Sequence, residues 1–194
     1  MIDNERKLVF VHVPKCAGNS IVKAFGQDVH NHQCVAYYWR QKRLNFYYRF
    51  TFIRNPWDRF LSAYLFLKSG GMNDKDKWAG QNLIGDRDFE EFILDTPIKN
   101  ILGQVHFCRY VYFLNGKVDF IGKLENFDED FKQLLINIDK HKWANLGEDI
   151  IELPHLNITA DKKHYTEYYN NRTEKAIGKL YERDIVEFGY KFGK

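Results

Sequence analysis

A chain of 194 residues, 44% hydrophobic and 16% aromatic, is long enough to bury a real core, and one domain over 1–194 is the natural reading. The net charge of +3 is mild, and the Lys and Arg residues are scattered rather than striped, which argues against nucleic acid as a partner. Three widely spaced cysteines argue against a disulfide framework. With no signal peptide and no apolar run near the roughly 20 residues that a membrane span needs, a cytoplasmic protein is expected.

Leu8, Val9, Phe10, Val11 and Val13 make an apolar run broken only by His12, the pattern of a strand covered on both faces. Pro14 closes it. Lys15-Cys16-Ala17-Gly18-Asn19-Ser20 is a turn of mostly small residues, whose backbone N–H groups can approach an anion closely and where Gly18 tolerates unusual φ. Ser20 to Phe25 reads as a helix ended by Gly26, with its N-terminus and dipole aimed at the turn. The turn is not a Walker A loop, because Gly18 is followed by Asn19 rather than by Lys and Ser/Thr. Nor is it a Cys-x5-Arg phosphatase loop, since Val22 stands six residues after Cys16. Beyond the helix come His30 and His32, then Tyr37, Tyr38 and Trp39, then Tyr47 and Tyr48; these aromatics are read first as core.

Phe50 to Ile53 is a second short apolar strand with Arg54 at its end. Asn55 is a good N-cap and Pro56 a good first residue for a helix that stops at Gly70-Gly71. Asp58 suits the dipole of the first turn, and Phe60, Leu61, Tyr64 and Leu65 form the apolar stripe. Arg54 offers a planar fork of donors suited to phosphate. Ser62, about two turns into the helix, joins it only if the helix packs back past the strand end. Two strand–turn–helix units, each with a cation and N–H donors at the strand's end, suit a ligand that is anionic at two ends. An adenine nucleotide with separate 5′ and 3′ charged groups fits that description better than ATP.

Further along, Asp88 with Glu91 reads as a capping box. Tyr110–Leu114 and Val118–Ile121 read as a hairpin about Asn115-Gly116. Asn126 is expected to cap a helix over 127–140, and Asn171 with Glu174 to start one last helix with Ile177, Leu180, Tyr181, Ile185 and Phe188 on one face. The alternation of strands and helices predicts a three-layer α/β domain with a mainly parallel central sheet.

KLVFVHVPKCAGNSI and YRFTFIRNPWDRFLSAY together resemble the carbohydrate sulfotransferase family that includes heparan sulfate 2-O-sulfotransferase and many small bacterial members. HVPKCAGNSI is similar to that family's 5′-phosphosulfate loop, and FIRNPWDRFLSAY to its 3′-phosphate motif. VDFIGKLENFDEDF, LPHLNIT, YTEYYNN and LYERDIVEFGYKF resemble later family segments, so the resemblance covers nearly the whole chain. Residues 66–111 match least and are expected to carry substrate specificity. Cys16 stands where many members have Thr, which changes no backbone donor.

The resemblance implies a P-loop-like sulfotransferase fold. It also implies transfer of a sulfuryl group from 3′-phosphoadenosine 5′-phosphosulfate (PAPS), without a metal, to an acceptor hydroxyl, a glycan being expected. In that scheme Lys15 neutralises charge on the leaving phosphate oxygen. Backbone N–H groups of Cys16, Ala17, Gly18, Asn19 and Ser20, with the Ser20 hydroxyl, cradle the 5′ phosphate. Arg54 and Ser62 hold the 3′ phosphate, and the loop with Thr159, Lys162 and Lys163 closes over the nucleotide. The family's base lies between the first helix and the second strand, so His32 is the expected base and His30 the alternative. His12 is read as a packing or supporting residue and His155 as a loop-ordering one. Animal relatives carry a membrane anchor, and its lack here points to a bacterial or viral source. Two other readings compete. A nucleotide kinase-like phosphotransferase is opposed by the missing Gly-Lys-Ser/Thr. A non-catalytic nucleotide-binding relative gains ground if neither His30 nor His32 reaches the sulfate site.

Overall fold

The computed structural model describes residues 1–28, 31–147, 151–154, 156 and 163–194. Along the chain the elements run β1 (Ile2–Asp3), β2 (Leu8–Phe10), α1 (Gly18–Ala24), α2 (Val35–Trp39), β3 (Tyr48–Ile53), α3 (Pro56–Lys68) and α4 (Asp74–Ala79). They continue with α5 (Phe89–Asp95), α6 (Ile98–Gly103), α7 (Tyr110–Phe113), β4 (Phe120–Lys123), α8 (Phe127–Asp139), α9 (Asn171–Leu180) and α10 (Glu182–Phe188). Two compact units result: Met1–Arg54 with Tyr110–Ile158, and Asn55–Arg109 with Thr159–Lys194.

The first unit holds the sheet, in the order β1-β2-β3-β4. β2, β3 and β4 are parallel, and β1 pairs antiparallel with β2. Phe10 is in register with Phe50, and Phe50 with Phe120. Side chains alternate across a strand, so Leu8, Phe10, Tyr48, Phe50 and Phe52 share one face. There they pack with Ile21 and Val22 of α1, with Phe25, and with Phe131, Leu134 and Ile138 of α8. On the other face Val9, Thr51 and Ile53 are fully buried, and the Arg49 guanidinium stacks 3.8 Å from the Trp39 ring of α2. Helices thus cover both faces of a mainly parallel sheet, which is why its strands read as unbroken apolar runs. The interleaved aromatics divide: Tyr38, Tyr47 and Tyr48 are core, while Tyr37 and Trp39 are exposed.

Residues 110–121 do not form the expected hairpin. Tyr110–Phe113 is a turn of helix, and β4 joins the sheet parallel to β3. The apolar run YVYF fits either period, and burial decides, because Tyr110 and Phe113 fall on one helical face and are both fully buried. Asn115 does not close a tight turn. Its Oδ1 accepts from the Ala36 N–H at 3.1 Å, and Lys117 O accepts from Trp39 Nε1 at 3.1 Å.

The second unit is helical, with Phe60, Leu61, Tyr64, Phe92, Phe107, Ile177 and Tyr181 in its core. α3 begins as its sequence requires: Asn55 Oδ1 accepts from the Trp57 N–H at 3.2 Å and Pro56 takes the first position. The helix stops before Gly70 and Gly71, both at positive φ. α5 opens on the Asp88–Glu91 capping box. The C-terminal helix differs from expectation. Its N-cap is Asn170, boxed with Thr173, and it breaks at Tyr181 into α9 and α10. Tyr181 is fully buried and donates to Phe107 O at 2.7 Å, with the Arg59 guanidinium 5.2 Å from its ring. Burial pushes its phenol up, which keeps the proton that this bond needs. That tether, not helix periodicity, sets the chain's direction there. Among the described residues, no helix is long and apolar enough to cross a membrane.

Candidate functional site

The site lies within the first unit, where β2 and β3 end side by side. Past Phe10 the ladder continues: the Val11 N–H donates to Phe50 O at 2.9 Å, and Thr51 Oγ1 donates to Val11 O at 2.7 Å. Parallel pairing therefore sends the Lys15–Ser20 turn and Arg54 to the same edge of the sheet, the edge at which ligands of open α/β sheets bind.

The turn bends at non-glycine residues. Lys15 has φ 66° and Ala17 φ 56°, while Cys16 between them is not in that region. Left-handed backbone costs an ordinary residue roughly 1–2 kcal/mol, and such strain persists where the surroundings hold it, characteristically at functional turns. Alternating backbone sign turns successive N–H groups to one side, as in an anion-binding nest. Ala17 precedes α1 without a side-chain cap, so the first-turn N–H groups have no intrahelical acceptor. Cys16 is buried, its Sγ 3.6 Å from Pro14 O, so what Cys16 offers the turn is its main-chain N–H. Ser20 is buried, and its Oγ accepts from the Leu156 N–H at 3.0 Å. That bond ties the later segment to the turn and leaves the hydroxyl proton as what Ser20 can donate.

Gly18 departs from expectation: it is not at positive φ. It is required for room. A Cβ there would fall 1.7 Å from His12 Nε2. His12 is buried, stacked on Phe10 with ring centroids 5.4 Å apart, and fills the space over the Gly18 Cα. Packing, one of the two roles expected of His12, is what these contacts show.

His32 lies against His12, whose ring packs over Gly18 of the turn. Its ring centroid is 4.4 Å from that of His12, and its Nδ1 is 3.1 Å from His12 O. A carbonyl oxygen only accepts, so Nδ1 carries the proton of the neutral ring and Nε2 carries the lone pair. That is the tautomer a proton acceptor needs.

Arg54 is half-buried. Its backbone is clamped by Tyr110, whose hydroxyl accepts from the Arg54 N–H at 3.0 Å and donates to Arg54 O. Nothing in the sequence linked Tyr110 to Arg54, 56 positions away, because the contact exists only through the fold. Ser62 is half-buried on the second turn of α3, in the second unit. His30, His155, Thr159 and Lys162 lie outside the described residues. Among the described residues no group of three or more His, Cys, Asp or Glu side chains is placed to hold a metal ion.

The family model described as "Sulfotransferase family" matches residues 1–191 of this chain. No curated protein and no solved structure matches it.

Proposed function

Since the chain belongs to the sulfotransferase family, we propose that it transfers a sulfuryl group from PAPS to a hydroxyl of a carbohydrate acceptor. When bound, the donor supplies the sulfuryl group and leaves as 3′-phosphoadenosine 5′-phosphate. Lys15 and the N–H groups from Cys16 to Ser20 hold the 5′ phosphate, with the Lys15 cation offsetting charge on the leaving oxygen. Arg54 binds the 3′ phosphate through its guanidinium, and Ser62, Thr159 and Lys162 are assigned to nucleotide binding by the resemblance alone. Sulfuryl transfer is an in-line displacement like phosphoryl transfer, so positioning and electrostatics carry most of the work. The proton of the acceptor hydroxyl passes to His32 Nε2.

The observation that carries this reading is the His32 Nδ1 bond to His12 O, made next to the His12 ring that packs over Gly18 of the turn. The experiment measures transfer of labelled sulfate from PAPS to a glycan panel. His32→Ala should lose 10²–10⁴-fold in turnover and keep its affinity for 3′-phosphoadenosine 5′-phosphate. If instead only His30→Ala is inactive, the base lies two residues earlier. Normal turnover in both variants would refute a histidine base in this segment.

A further inference from the structure

His32 lies on a segment that precedes α2, and a short loop of this kind does not by itself hold an imidazole to catalytic tolerance. α2 supplies what the loop lacks. The helix is fastened at three points: Ala36 N–H to Asn115 Oδ1 at 3.1 Å, Trp39 Nε1 to Lys117 O at 3.1 Å, and the Trp39 ring under the Arg49 guanidinium at 3.8 Å. From its inner face Tyr38, fully buried, donates its hydroxyl to Asn31 Oδ1 at 3.0 Å. Asn31 is the residue immediately before His32.

We propose that Tyr38 is a positioning residue for the base: by holding Asn31 it fixes the backbone from which His32 reaches His12 O, and so fixes the tautomer that leaves Nε2 basic. The inference rests on reading His32 as the base. Burial holds the Tyr38 phenol in its neutral, proton-donating form, so the strut persists at any pH at which the protein works. Phe at position 38 would keep the ring's packing and delete one hydrogen bond. Asn31→Ala would delete the same bond from its other end, and Asn31→Asp would keep an acceptor.

The test reads the His32 tautomer by ¹⁵N imidazole NMR, together with turnover and affinity for 3′-phosphoadenosine 5′-phosphate. The wild type should show the Nδ1–H form. Tyr38→Phe and Asn31→Ala should each mix the tautomers and lower turnover roughly 10- to 100-fold, the scale of a small misplacement, with nucleotide affinity unchanged. Asn31→Asp should preserve the tautomer and turnover, and the double variant Tyr38→Phe/Asn31→Ala should be no worse than either single one. A folded Tyr38→Phe with wild-type tautomer and turnover would overturn the proposal, as would a loss of turnover matched by a loss of nucleotide affinity. His32→Ala separates the two readings. If it is inactive while Tyr38→Phe is normal, only the positioning role fails; if it is active, the base reading fails and takes this one with it.

Discussion

Gly18 is set by space rather than by torsion. Its missing side chain is occupied by the His12 ring, which stands between the turn and His32. Gly18→Ala should therefore cost about 1–3 kcal/mol, the usual range for overpacking. In a His12→Ala background the same change should cost much less, and equal costs in both backgrounds, measured by urea denaturation, would contradict the contact. Arg54 presents a different case: Tyr110 holds its backbone through the main-chain N–H and C=O, whatever side chain stands there. Arg54→Ala should weaken binding of 3′-phosphoadenosine 5′-phosphate by roughly 1.5–3 kcal/mol, the worth of a charge-assisted hydrogen bond. Unchanged affinity by isothermal titration in a folded variant would remove Arg54 from the 3′-phosphate role. The part proposed for His32 comes from its interval in the chain. Its tautomer does not, since that depends on the carbonyl of a residue 20 positions away.

Elements whose signals are local were the most legible. The Asn55-Pro56 start of α3 and the Asp88–Glu91 box of α5 are each closed by atoms within three residues, and both form as read. The box is a clean test: Asp88→Ala should cost about 0.5–2 kcal/mol in denaturant unfolding, and no measurable change would deny it any stabilising role. Elements decided by distant partners were misread. YVYF became a helical turn because Tyr110 and Phe113 are buried together and the Tyr110 hydroxyl is engaged at Arg54. One amphipathic run from 171 to 188 became two helices because Tyr181 is tethered to Phe107. β1, only two residues long, had no periodicity to reveal it. At the site the same division holds: the Pro-Lys-small-residue turn was plain in the sequence, while its bend at Lys15 and Ala17 rather than at Gly18 was not.

At the scale of the molecule, the parallel sheet of the first unit brings the Lys15–Ser20 turn and Arg54 to one edge, while the second unit carries most of the stretch that resembles the family least, 66–111. Family membership over residues 1–191 makes sulfuryl transfer the chemistry, and the placing of Lys15 and Arg54 beyond the ends of two adjacent parallel strands is what makes a doubly anionic adenine nucleotide the proposed donor. A ligand that binds the native state alone adds about 2.7 kcal/mol of stability at 100 times Kd. The most direct measurement is thermal denaturation of the intact chain with 3′-phosphoadenosine 5′-phosphate, compared with ATP with and without Mg²⁺. The account predicts a marked rise in Tm with the first and a much smaller one with ATP. Equal shifts for both nucleotides, or a shift only with ATP and Mg²⁺, would contradict it.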